Sequence, residues 1–245
     1  MTQEDAPQER LKALDISTNG EDLAIVSTDG KLYHLGKSMI EGGEMMKAIR
    51  RDKQIVVNPI HILLPEPIKQ VSVGHRHRSV LSVKGNVYLW GDNRYGQLGQ
   101  DFKSFAHIHN FASDPRKLSF SVPISFITCQ NDTTAAIDEN GKLYRWGRNR
   151  GFIESCQYVG LKNIMFNSSE EKDGIISSPI QIGLNVTDST TKTPNICLNM
   201  PTMNRTTIQK KFYYVAIGWH VTISTTSDGW VNIWHEDKKD FFPIW

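Results

Sequence analysis

The stretch Val71-Ser-Val-Gly-His-Arg-His-Arg-Ser-Val-Leu-Ser-Val-Lys-Gly-Asn-Val-Tyr-Leu-Trp-Gly91 returns in altered form at residues 127–147, 215–235 and, most degraded, 16–36. Each copy carries a glycine (Gly30, Gly85, Gly141, Gly229) five residues before a large apolar side chain (Leu35, Trp90, Trp146, Trp234). Those apolar positions lie 55, 56 and then 88 residues apart. A period of this length means that the chain repeats one supersecondary unit, which buries its apolar face only by packing against the next copy; solenoids, arrays and propellers are built this way.

The unit itself is a β-hairpin. Ser79-Val-Leu-Ser-Val and Asn86-Val-Tyr-Leu-Trp alternate around Lys84-Gly85, and the equivalent turns are Asp29-Gly30, Asn140-Gly141 and Asp228-Gly229. Asn-Gly and Asp-Gly between alternating runs favour hairpins because type I′ turns demand positive φ. Further strands are expected ahead of each hairpin, at Ile60-His-Ile-Leu-Leu and Ile68–Val73, at Lys117–Phe120 and Ile124–Ile127, and at Ile180–Leu184 and Phe212–Ile217. Only Met39 to Arg51 has a helical composition. The expectation is an all-β chain, a β-propeller of about four blades of antiparallel strands, with repeats near 11–63, 64–118, 119–184 and 211–245. A polar tail is expected over 1–10 and a disordered insertion, rich in Asn, Ser and Thr, over 185–210, where a loop this long invites a partner.

The segment Tyr88-x-Trp-Gly-x-Asn-x-Tyr-Gly-Gln-Leu-Gly99, preceded by Gly74-x-x-His77, resembles the repeat of the regulator-of-chromosome-condensation family. The third copy keeps Trp146-Gly-Arg-Asn-Arg-Gly151 and then departs from the pattern; the other two keep only the hairpin. The resemblance implies a β-propeller, usually of seven blades, whose members act as nucleotide exchange factors, chromatin readers, ubiquitin-ligase appendages or interaction scaffolds. Four repeats fall short of seven. The stretch Leu11-Lys-Ala-Leu-Asp-Ile-Ser matches Ile68-Lys-Gln-Val-Ser-Val by apolar pattern, so the first repeat reads as lacking the Pro-Ile strand of Pro59-Ile-His-Ile and Pro179-Ile-Gln-Ile. Phe241-Phe-Pro-Ile-Trp245 looks like that missing strand, and a clasp between the termini would remove an open edge. The repeats then close as a small ring or form a curved stack held by a partner, and a compact four-bladed unit is the expected outcome.

Several clusters invite a chemical reading. His75 and His77 would share one face of a strand, but no third metal ligand lies near in sequence, and the resemblance implies that a histidine at His77 holds its loop by hydrogen bonding. Gly91 to Gly99 lacks the Lys-Ser/Thr ending and following helix of a phosphate loop, so its glycines read as tight turns between blades. Trp90, Trp146 and Trp234, with Tyr33, Tyr88 and Tyr144 two residues earlier, read as packing between blades. Arg76, Arg78, Arg145, Arg148 and Arg150 fall on equivalent turns, and with His77 they form the candidate partner-binding set, suited to acidic protein or phosphate. The rival reading is a set of unrelated arginines on solvated loops.

Charge and composition narrow the function. Twenty-eight Lys+Arg against 26 Asp+Glu leave a formal charge of +2, too balanced for nucleic-acid binding by bulk electrostatics. There is no apolar run of bilayer length, and the polar, acidic start is unlike a secretory leader; the expected place is cytoplasm or nucleus. Cys129, Cys156 and Cys197 are odd in number and widely spaced, which suits reduced thiols. No catalytic triad, carboxylate pair or zinc spacing stands out, and no cofactor is expected. The chain therefore reads as a non-catalytic scaffold or adaptor for protein partners in a larger assembly. An exchange factor for a small GTPase, or a chromatin- or RNA-contacting factor, remains the alternative.

Overall fold

The computed structural model describes residues 11–36, 49–51, 54–56, 59–100, 111–148, 171–172, 175–182, 211–219, 221–227, 229 and 231–235. All regular structure among them is β. The first sheet holds β1 (Ala13–Thr18), β2 (Asp22–Ser27), β3 (Leu32–Gly36) and, at its outer edge, β6 (Ile60–Ile62). The strands β4 (Ile49–Arg51) and β5 (Gln54–Val56) form a separate two-stranded ladder. The second sheet runs β7 (Ile68–Val73), β8 (His77–Ser82), β9 (Val87–Asp92) and β10 (Phe111–Leu118). The third runs β11 (Ile124–Gln130), β12 (Thr133–Asp138), β13 (Leu143–Arg148) and β15 (Ile175–Ile182), with β14 (Glu171–Lys172) beyond it. The fourth contains β16 (Phe212–Ile217), β17 (Val221–Thr226) and β18 (Val231–His235). These four antiparallel sheets are the blades of a four-bladed β-propeller.

Among the described residues, substantial strand packing runs between consecutive blades. One core cluster joins Ala24, Val26 and Leu32 of the first blade to Ile68, Val71 and Val73 of the second, and continues to Ile124, Ile127 and Trp146 of the third. A second joins Ala135, Ile137 and Leu143 to Phe212 and Val215 of the fourth. Both faces of β8 and β12 are buried because those blades lie between neighbours. The middle strands of the end blades, β2 and β17, alternate between buried and half-buried positions.

Three expectations require correction. The end of the helical segment, Ile49–Arg51, pairs as a strand with Gln54–Val56; β-branched and cationic side chains in a two-stranded ladder override a weak helical composition. The Pro-Ile strand follows its hairpin rather than preceding it: Pro59, Pro115 and Pro179 stand three residues before Ile62, Leu118 and Ile182, which face Leu32, Val87 and Leu143. The first blade thus draws its four strands, β1, β2, β3 and β6, from one stretch of the chain; residues 241–245, expected as a clasp strand, lie outside the described residues. Finally, the position equivalent to Ile68 is Ala13, not Leu11. Ala13, Ile68, Ile124 and Phe212 each oppose Ser27, Ser82, Asp138 and Thr226 in turn, with an irregularity in register immediately after each.

The hairpin glycines serve two purposes. Gly30, Gly85 and Gly141 have φ near +80°, as their turns require. Their carbonyls also accept the N–H of Ile68, Ile124 and Phe212 at 2.9, 2.9 and 2.8 Å, where the next blade begins. A Cβ on Gly85 would lie 2.5 Å from Pro123 Cβ, whereas Gly20, also at positive φ, has open space around it. Gly20→Ala should therefore cost only backbone strain, about 1–2 kcal/mol, and Gly85→Ala should add overpacking of about 1–3 kcal/mol. Urea midpoints of the two variants measure the difference; equal midpoints would show that the turn and the blade junction are independent.

Candidate partner-binding face

The loops joining first to second strands, and those leaving third strands, lie along one edge of the blades. They are tied in series. Asn19 Nδ2 donates to Gly74 O at 2.8 Å, His75 N to Asn131 O at 3.0 Å, and Asn131 Nδ2 to Gly218 O at 3.5 Å. Asn131 adopts φ +49°, a left-handed conformation asparagine tolerates better than most residues. The loop after β9 packs across the next blade: Gly96 approaches the backbone of Ile176 and Ser177, and Gly99 approaches Leu118 and Trp146. This supports the reading of the Gly91–Gly99 glycines as turns between blades.

Below that edge, polar pins cross each junction. Thr134 Oγ1 donates its single proton to Gln97 O at 2.8 Å, and Trp146 Nε1 donates to the same carbonyl at 2.9 Å. His77 Nε2 lies 2.8 Å from Thr134 Oγ1, so the imidazole must be the donor there and carries its proton on Nε2. Burial holds the His77 pKa down to about 4. One junction earlier, Arg78 of the second blade is paired with Asp22 of the first, and His34 Nε2 stands 3.5 Å from the same carboxylate. Trp90 and Trp146 are buried, as their repeated position implies; the Trp234 side chain lies outside the described residues. Cys129 is a buried free thiol whose pKa burial raises, and its Sγ donates to Ser72 O at 2.9 Å.

The candidate set divides sharply. His77, Arg78 and Arg145 are buried, at 0%, 1% and 0% exposure, and so have no surface to offer a partner. Arg76 is exposed, as is neighbouring His75. The Arg148 side chain, 38% exposed, lies with its guanidinium carbon 4.5 Å above the Tyr95 ring and its Nη1 3.5 Å from Asp132. Arg150 lies outside the described residues. Sequence reasoning missed Arg94, whose Nε and Nη2 contact Asp92 Oδ2 at 2.8 and 2.6 Å, and Trp219, 60% exposed on the last of the linked loops. Gly218-Trp219 follows the fourth inner strand as Gly74-His75 follows the second, so the repeat itself carries the signal for Trp219. Among the described residues no group of three or more His, Cys, Asp and Glu has metal-holding geometry, and no helix is long and apolar enough to cross a membrane.

Stacked antiparallel sheets with a continuous loop edge define the class: a β-propeller repeat protein. The family model for the regulator of chromosome condensation (RCC1) repeat matches residues 84–137. The chain is 30% identical over 154 residues to the human X-linked retinitis pigmentosa GTPase regulator, covering 61% of this chain and 14% of that protein. It is 32% identical over 105 residues to the rat probable E3 ubiquitin-protein ligase HERC4, covering 43% and 10%. Prp20p from Saccharomyces cerevisiae, described with its binding properties to Gsp1p and histones, superposes with TM-score 0.62 at 19% identity over 94% of this chain and 47% of that one. This chain carries an RCC1-like repeat over residues 84–137 and spans only a small part of the curated relatives it matches.

The pins make two tests. Removing one member of a buried ion pair strands the other, so Asp22→Ala should destabilise the fold by about 3–5 kcal/mol, while Arg76→Ala on the surface should change it by less than about 0.5 kcal/mol. Denaturant titration distinguishes the two. His77 has a folded pKa below its unfolded value of 6.5, so only the unfolded state gains its proton between those limits. Its contribution is intact above pH 6.5 and is lost as pH falls towards about 4. Stability measured across that window should fall less steeply in His77→Gln than in the parent.

Proposed function

We propose that this chain is a non-catalytic interaction module that presents its linked loop edge to a protein partner within a larger assembly. One observation carries the reading: Arg76, Arg94 and Trp219 are exposed on that edge, and the charges of Arg94 and Arg148 are met by acids beside them. Arg94 pairs with Asp92, and Arg148 with Asp132. Phosphate binding calls for uncompensated cations, so this pairing favours a protein over nucleic acid. Arg, Tyr and Trp are the residues enriched at protein interfaces and their energetic centres. Arg76, Arg148, Arg94, Tyr95 and Trp219 make up the surface, and cytoplasm or nucleus is its setting.

Exchange activity on a small GTPase is the second reading, in keeping with the human relative being a GTPase regulator. Two measurements separate the readings. Quantitative mass spectrometry of proteins retained by the parent chain and by the Arg76→Glu/Trp219→Ala double variant should show specific partners lost from the variant; identical sets would sink the loop-edge assignment. Nucleotide release from a panel of small GTPases should be unaffected by the chain, and acceleration of any of them would replace the scaffold reading with exchange.

A further inference from the structure

The two ends of the blade array are the two halves of one repeated contact. At every internal junction, the residue before the inner strand seats on the hairpin glycine of the preceding blade. Pro67 meets Gly30, Pro123 meets Gly85 and Lys211 meets Gly141, each so closely that a glycine Cβ would fall 2.5–2.6 Å from the incoming side chain. The equivalent glycine of the fourth blade, Gly229, has φ +83° like the others and nothing within 4 Å of the same point. The residue that would do the seating at the other end is Lys12, because Lys12, Pro67, Pro123 and Lys211 carbonyls accept the equivalent N–H of Thr28, Val83, Glu139 and Ser227. Lysine in this seat is already demonstrated by Lys211 on Gly141.

The apolar faces around these two points match in the same way. Ile16 occupies the position of Val71, Ile127 and Val215, which are 4%, 0% and 0% exposed beneath the preceding blade; Ile16 itself is 57% exposed. Val231 occupies the position of Leu32 and Leu143, which are 1% and 0% exposed beneath the following blade; Val231 is 57% exposed. Half-buried Ile223 lies on the same face as Val231, in the place of Ala24 and Ala135. Both ends are therefore complementary surfaces of one kind, carried by one chain.

We propose that two copies of this chain dock head to tail, the first blade of each seated on the fourth blade of the other, to close a single eight-bladed ring. Symmetry supports the second copy as occupant. A head-to-tail contact closes under a two-fold axis when each arc turns through half a circle, which four blades achieve at about 45° each. The fold comparison fits an arc rather than a closed ring, since 94% of this chain superposes on 47% of a solved propeller chain. Self-closure of four blades would require about 90° per blade and would cover Ile16 and Val231, which are both 57% exposed. The loop edge takes no part in this contact, so the ring and the partner-binding reading stand or fall separately.

Light scattering coupled to size exclusion tests the proposal on the purified 245-residue chain. The expected mass is twice 27.8 kDa and independent of concentration above the dissociation range. Ile16→Lys disables the leading face and Val231→Lys the trailing face; each alone should be monomeric with unchanged circular dichroism, both sites being exposed. An equal mixture of the two retains one intact junction and should regain a one-to-one complex, which head-to-head or tail-to-tail pairing would not allow. A monomeric parent, whether self-closed or awaiting blades from elsewhere, overturns the proposal. So does a mass that grows with concentration, which marks an open filament, or a mixture that stays monomeric.

Discussion

Each blade is placed by a single backbone hydrogen bond repeated three times: the carbonyl of a hairpin glycine accepts the N–H that opens the next inner strand. This contact couples local stereochemistry to global architecture. The turn needs a residue at positive φ, which glycine adopts without penalty. Because glycine has no Cβ, the next blade can sit directly on the turn and bring its apolar inner strand against the preceding sheet. A larger residue would relax the turn and lift the following blade together, so the hairpin and the array are one cooperative feature.

Apolar packing alone would leave the spacing between blades loosely specified, since each blade presents a similar face of Val, Ile, Leu and Ala. The polar pins differ from junction to junction. Between the first and second blades, Asp15 Oδ2 and Ser17 Oγ accept the N–H groups of Val71 and Val73 at 2.8 and 2.9 Å, and Asp22 meets Arg78. Between the second and third, Gln70 Oε1 and Ser72 Oγ accept from Ile127 and Cys129 at 3.1 and 2.8 Å, with His77, Thr134, Gln97 and Trp146 joined above them. At the third junction the equivalent positions are Phe126 and Thr128, and Phe126 stacks at a tilt on Tyr214 with ring centroids 4.9 Å apart. A buried charge without its partner is costly, so a blade shifted by one register step would lose more than contact area. The junctions thus share a common apolar grip and carry individual polar identities.

The blades were legible in the sequence because the stereochemical demand of the hairpin recurs with the period. Gly30, Gly85, Gly141 and Gly229 mark every turn, and alternation around them marks the strands. The hairpin to which the Pro-Ile strand belongs was not legible from periodicity, because in a cyclic order that strand lies between two hairpins and apolar alternation does not say which it joins. The two-residue offset at the start has a different origin. Side chains on the leading face of β1 are not covered by a preceding blade, so Leu11, Leu14 and Ile16 imitate the spacing of Ile68, Val71 and Val73 without sharing their environment. The bulge after Ala13 then hides the true register, which only the hydrogen bonds to β2 reveal.

The loop edge was legible in position but not in chemistry. Its arginines alternate along strands that enter the interior, so Arg76 emerges on the surface while Arg78, two residues on, is drawn into a junction by Asp22, 56 residues away. Such long-range compensation leaves no trace in local pattern. Once Asp22 is known to sit at the start of β2, the burial of Arg78 follows, because the junction contains a carboxylate that would otherwise lack a cation. The same logic separates the two uses of charge in this fold. Arginine aimed between blades stabilises the position of a blade, and arginine on the loop edge, kept in place by Asp92 or Asp132 beside it, is presented at fixed geometry to whatever binds there. A scaffold that must hold several loops in register needs both, and the first makes the second possible.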